Sequence, residues 1–133
     1  MADNEYSHAI DVDGGFDEVL ARTRDALAAE GFGVLTEIDV QATMREKLGV
    51  EREPYVILGA CNPPLAHQAL EAEPELGVLL PCNVVVYRTN SGTRVSTVAA
   101  DQMLGMVGNP ALAPVAAEVD ERLARVLDAI REG

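Results

Sequence analysis

Asn83-Val84-Val85-Val86-Tyr87-Arg88-Thr89-Asn90-Ser91-Gly92-Thr93-Arg94-Val95-Ser96-Thr97-Val98 reads as two strands joined by a turn. Asn83 to Arg88 is rich in valine, whose branched side chain suits a pleated surface. Asn90-Ser91-Gly92 offers positive φ, so the chain is expected to fold back into a second strand over Thr93 to Val98. Strands joined this way pair antiparallel, which sets the direction of the sheet that the rest of the chain extends.

Upstream, Tyr55-Val56-Ile57-Leu58-Gly59-Ala60 is a short, bounded apolar run and is predicted to be a largely buried strand. Cys61 ends it. Asn62 is placed to cap a helix that begins at Pro63 and Pro64, passes through Leu65, Ala69 and Leu70 to about Glu73, and stops at Pro74. Earlier still, Phe32, Val34, Thr36 and Ile38 alternate, and the spacing predicts a strand with all four on one face. Asp39 then caps a short helix carrying Val40, Met44 and Leu48, closed by Gly49, before a solvated break at Glu51-Arg52-Glu53-Pro54.

The N-terminal part repeats this grammar. Tyr6 to Val12 reads as a strand, and Phe16, Val19, Leu20, Thr23 and Leu27 recur at helical spacing. Asp17 and Glu18 suit the positive end of that helix, and Gly31 suits a left-handed residue at its exit. After the hairpin, Asp101 to Val107 is expected to be a short helix presenting Met103, Leu104 and Val107. From Pro114 onward, Val115, Val119, Leu123, Val126, Leu127 and Ile130 make one apolar stripe. No repeat or linker interrupts residues 1–133, so one α+β domain is expected.

Composition narrows the function classes. The 133 residues hold 10 basic and 22 acidic side chains, a net charge of −12, and Lys47 is the single lysine. Such a surface repels nucleic acid and anionic membranes, so neither is expected as a partner. Apolar residues are 48% of the chain, enough for a core, yet no run approaches the roughly 20 residues of a membrane span. The acidic start Met1-Ala2-Asp3-Asn4-Glu5 lacks the features of a secretion signal, and a cytoplasmic address is expected. Tryptophan is absent, and Tyr6, Phe16, Phe32, Tyr55 and Tyr87 offer no stacking platform for bases or sugars.

Chemistry is best sought at the two cysteines, set in Gly59-Ala60-Cys61-Asn62-Pro63-Pro64 and Leu80-Pro81-Cys82-Asn83. If their strands are antiparallel neighbours, both thiols fall at one edge of the sheet, about one strand spacing apart. Cys61 precedes a helix N-terminus, whose free amides and dipole favour a thiolate. Cys61 is then the nucleophile or primary ligand, Cys82 its resolving partner or second ligand, and Asn62 and Asn83 donate orienting hydrogen bonds. A bland reading stands beside it. Buried cysteines often only fill space, and Asn62 can be no more than a cap.

Weaker candidates complete the survey. His67, one turn into the helix, can join Cys61 and Cys82 around zinc or copper, but the spacing matches no zinc signature and a solvent-facing role fits better. His8 falls on the first strand, and Met103 and Met106 are thioether ligands or core fillers. Asp11, Asp13 and Asp101 serve equally as turn, cap or catalytic residues. No phosphate loop, nucleophile elbow or metalloprotease motif is present, so no cofactor and no reaction follows from motif.

At Gly33-Val34-Leu35-Thr36-Glu37-Ile38-Asp39, Leu58-Gly59-Ala60-Cys61-Asn62-Pro63 and Leu80-Pro81-Cys82-Asn83-Val84-Val85-Val86, the chain resembles a bacterial and archaeal family. It is the domain-of-unknown-function family numbered three hundred and two, and the likeness runs through Val107-Gly108-Asn109-Pro110 into the last helix. The resemblance implies a TATA-binding-protein-like α+β fold: strand, helix, four antiparallel strands, helix, with the helices on one face. It implies no activity. Only Cys61, Asn62, Pro63, Pro81, Cys82 and Asn83 match its characteristic positions. Where such sequences often carry Asp-Pro after the last strand this chain has Ala99-Ala100, which puts a carboxylate role there in doubt.

Three functions are expected on these grounds. The first is a small binding module with a two-cysteine site, Cys61 and Cys82, for a soft metal ion or a small ligand. The second is a thiol redox enzyme or switch using the same pair. The third is a homodimer with inert core cysteines, joined through the sheet face that helices leave open, with Val84 to Val86 as its apolar material.

Overall fold

A computed structural model describes residues 4–133; Met1, Ala2 and Asp3 of the acidic start lie outside the described residues. The hairpin read first from the sequence lies at the heart of the sheet. Its strands are β4 (Cys82–Thr89) and β5 (Gly92–Val98), paired from Val84↔Thr97 to Thr89↔Gly92. Asn90 and Ser91 turn without positive φ, since among the described residues only glycines adopt it. Gly92 itself takes positive φ, 158°, and a Cβ there would also lie 2.6 Å from the Val12 carbonyl oxygen.

Around this hairpin stand β3 (Tyr55–Cys61), β2 (Gly33–Asp39) and β1 (Ser7–Val12). The five strands run in the order β1-β5-β4-β3-β2, every neighbour antiparallel. Helix α1 (Phe16–Ala29) carries the chain from one edge strand to the other, and Gly31 ends that passage at φ 84°. Helix α2 (Val40–Leu48) starts where the Asp39 carboxylate accepts the Ala42 amide and stops at left-handed Gly49. Helix α3 (Pro63–Ala72) follows β3, and a 3-10 turn over Pro74–Leu79 leads into β4. After β5 come α4 (Ala100–Gly105) and α5 (Ala113–Glu132), and α5 packs along α1. The order is therefore strand, helix, four antiparallel strands, helix, with α2, α3 and α4 inserted.

Pleating gives the sheet two unlike faces. Ile10, Leu58, Val84, Val86 and Val95 point into the core, where they meet Val19 and Leu27 of α1. All six members of the α5 stripe, from Val115 to Ile130, are buried on the same side. Tyr55, Ile57, Asn83, Val85, Tyr87, Arg94 and Ser96 alternate with core positions and face away from the helices. Of the Val84–Val86 run, then, only Val85 is available to an open face; Val84 and Val86 are fully buried.

The reading of β2 also needs correction. Val34 pairs with Ala60, but the next pair is Thr36↔Gly59, so Leu35 is the extra residue of a β-bulge. One inserted residue reverses the pleat. Val34 therefore turns toward the core, whereas Thr36 and Ile38 turn to the opposite face, and Phe32 lies just before the strand, buried. After the bulge Glu37 reaches the helix side, where it pairs with Arg24 of α1. Among the described residues no helix is long and apolar enough to cross a membrane.

Candidate functional site

The sequence brings its two cysteines to one end of the sheet, with an offset that matters. Ala60 is paired with Cys82, and Cys61 with Gly33 on the other side. Cys61 and Cys82 are thus diagonal neighbours, with Cα atoms about 6 Å apart from the strand spacing and rise. Partners in register share a face, so Cys82 follows Ala60 inward, and the pleat assigns Cys61 to the other face. Cys82 is 8% exposed and Cys61 is half-buried.

Inward of Cys82 lies an apolar cavity of about 290 Å³. α3 contributes Leu65 and Ala69, the 3-10 turn Leu76 and Gly77, α4 Leu104, and α5 Val119. Asn62 and Cys61 border it where β3 turns into α3. The Cys82 thiol is pushed up to about 11, chiefly by burial and further by the negative charges that Cys61 and Asp120 can carry. At neutral pH it is a protonated, weakly polar part of the cavity wall.

The two asparagines do not converge. Asn62 is 7% exposed and its Oδ1 accepts the Leu65 amide at 3.3 Å, the helix cap that its position suggests. Its Nδ2 reaches the Glu30 carbonyl at 3.5 Å, tying α3 to the exit of α1. Asn83 is exposed on the sheet face opposite Cys82, in a concavity with Tyr55 and Tyr87. The rings of those two tyrosines stack 5.0 Å apart. An orienting role for Asn62 and Asn83 together at one site is therefore not what the register provides. His67 is exposed, 4.0 Å from Glu71 one turn on, as the solvent-facing reading expects.

A second group of donors escaped the sequence. His8, Asp101 and Asp120 bring ligand atoms within 4.8 Å of one another. Asp120 comes from α5 and accepts the amides of Ala100 at 2.7 Å and Asp101 at 3.0 Å, one on each carboxylate oxygen. Burial raises its carboxyl above the usual range against the pull of those amides, and the neighbouring Asp101 charge adds to the rise. So Ala99-Ala100, which left a carboxylate in doubt, meets one supplied from another helix. Nothing local announces Asp120: within α5 it reads as one acidic residue on a polar flank.

The architecture defines a small α+β protein whose antiparallel sheet is covered by helices on one face, with a half-open apolar pocket beside a buried thiol. A family profile described as "Domain of unknown function DUF302" matches residues 8–130, and the chain belongs to that family. It is similar to a crystal structure described as that of an uncharacterized conserved protein DUF302 from Bacillus stearothermophilus. The two share 37% identity and a TM-score of 0.88, over 94% of this chain and 98% of the other. No curated protein matches the chain.

Proposed function

We propose that the protein is a binding module for a small, largely apolar molecule held without covalent bonds against the Cys82 thiol. The observation that carries this reading is the cavity. Its volume of about 290 Å³ lies at the lower end of small-molecule sites. Its walls are apolar side chains, so the attraction comes from burying carbon surface. Cys82 offers one soft, polarizable contact.

Of the expectations drawn from the cysteine pair, small-ligand binding gains this support. A metal held by Cys61 and Cys82 gains less, because no histidine, aspartate or glutamate joins them in a cluster of three donors among the described residues. Burial also works against the Cys82 thiolate, which ligation and disulfide exchange both require.

The test is an amide chemical-shift titration of full-length protein with hexanol and, separately, hexanethiol. Shifts confined to Ala69, Gly77, Cys82, Leu104 and Val119 are expected. Ala66 is half-buried in the cavity wall on α3, so Ala66→Leu adds volume there and is expected to abolish the shifts. If neither probe shifts these residues up to its solubility, or Ala66→Leu binds as before, the reading is wrong.

One further observation favours self-association as a second property. Among the described residues no helix covers the outer sheet face, which carries Tyr55, Ile57, Val85 and Tyr87. Five strands of about seven residues span roughly 24 by 23 Å, about 550 Å² per copy. A second copy of this chain meeting it face to face buries about 1,100 Å², the range of weak complexes.

A further inference from the structure

We infer that His8, Asp101 and Asp120 form a binding site for a first-row divalent cation such as Mn²⁺ or Zn²⁺, with the Thr97 hydroxyl as a fourth donor to the ion or to a water bound on it. The site is distinct from the cysteines. Three chain segments meet there: β1 supplies the imidazole, the start of α4 one carboxylate, and α5 the other. A cation with octahedral bonds of about 2.1 Å sets adjacent ligands about 3 Å apart and opposite ligands about 4.2 Å apart. Donor atoms already within 4.8 Å of one another need only small side-chain movements to close on such an ion.

Thr97 supplies an independent indication. It is 1% exposed, and its Oγ1 is buried with no hydrogen-bond partner. A buried hydroxyl left in this state costs stability, and such a group calls for a bound water or ion. Thr97 is the cross-strand partner of His8, so both side chains share the helix-side face of the sheet. Both line one cavity of about 170 Å³ together with Asp120. At about 30 Å³ per water, that space takes a cation and several waters.

The carboxylates are held in place and keep free lone pairs. Asp120 uses one on each oxygen for the Ala100 and Asp101 amides, and Asp101 Oδ1 accepts the Gln102 amide at 2.9 Å. Backbone donors of this kind orient metal ligands. Two carboxylates so close concentrate negative charge that a cation relieves. Arg131 at the cavity wall is the opposing charge, and its Nη1 is paired with Asp128 at 3.2 Å. One imidazole with two carboxylates and a hydroxyl suits Mn²⁺, Fe²⁺ or Zn²⁺ better than the all-oxygen sites of Mg²⁺ or Ca²⁺.

The experiment titrates full-length protein with MnCl₂, followed by the loss of the free-ion electron paramagnetic resonance signal, and with ZnCl₂ by calorimetry. One ion per chain is expected, with affinity reduced about a hundredfold in His8→Gln and in Asp101→Asn. Asp120 is left intact because it holds the start of α4. Thr97→Val serves as a variant that keeps the fold: it is expected to weaken binding while raising the melting temperature of the metal-free protein. The Cys61→Ser/Cys82→Ser protein is expected to bind as the parent does. No binding of either metal at millimolar concentration, undiminished binding in His8→Gln, or loss of binding in the cysteine variant overturns the inference.

Discussion

Cys82 stands opposite Ala60 across β3 and β4, so Cys61 is its diagonal neighbour rather than its facing one. A disulfide needs close Cα atoms and also Cβ bonds that point toward each other. The diagonal meets the first condition and the pleat denies the second. Under mild oxidation the native protein is expected to keep two free thiols, with half-buried Cys61 alkylated first, as read by mass spectrometry. A Cys61–Cys82 crosslink formed without unfolding would restore the redox reading.

Burial of Cys82 also predicts an alkaline weakness. Its folded pKa of about 11 lies above the ordinary 9.0, so folding favours the protonated thiol. The associated stability is fully present below about pH 9 and is lost as pH rises toward 11. The shift corresponds to about 2–3 kcal/mol at most. Urea unfolding of the parent and of Cys82→Ala between pH 8 and pH 11 checks this. The difference between the two is expected to shrink as pH rises, and a constant difference contradicts the assignment.

Gly59 and Gly77 test packing on the two sides of this region. A Cβ at Gly59 would collide with Thr36 Oγ1 and sit 2.8 Å from Pro81 Cγ, on the face opposite the cavity. Gly59→Ala therefore forces β2 and the Pro81 turn apart, at a cost of about 1–3 kcal/mol. Gly77→Ala meets no atom within 4 Å and is expected to be neutral or slightly stabilising. Equal effects in denaturation midpoints would contradict this placement of β2.

Much of this arrangement is legible locally. Asp39 and Asn62 cap the helices their positions suggest, Gly31 and Gly49 take the left-handed exits, and the Val115-to-Ile130 stripe is buried throughout. Each of these signals is complete within a few residues, because capping and periodicity are properties of a single element. The bulge at Leu35 is not, since it exists only relative to β3. The facing of the two thiols turns on one residue of register, which reverses every side chain along a strand. His8, Thr97, Asp101 and Asp120 are still more remote from local reading, for they belong to four elements that meet only when the sheet and α5 are assembled.

The two caps should differ in cost. Asn62 is buried and holds both the Leu65 amide and a contact to the Glu30 carbonyl, whereas Asp39 caps α2 in solvent. Asn62→Ala is expected to cost about 1–2 kcal/mol, and Asp39→Ala about 0.5–1 kcal/mol. Matching losses in chemical denaturation would mean that the tie from α3 to the end of α1 adds nothing.

The outer sheet face supplies the last prediction. Val85 lies near its centre on β4, between Ile57 of β3 and Ser96 of β5, its partners in register. A lysine there extends into water from an open face and leaves the core untouched, so Val85→Lys is expected to fold with nearly unchanged stability. The same charge, repeated by symmetry in a face-to-face pair, sets two ammonium groups against each other in a desolvated centre. Sedimentation of the parent is expected to show a monomer giving way to a dimer as concentration rises, and Val85→Lys to remain monomeric throughout. A parent that stays monomeric at millimolar concentration removes self-association from this face. A dimer that survives Val85→Lys places the contact elsewhere, with Leu35, Leu48 and Val78 among the exposed large apolar side chains to test.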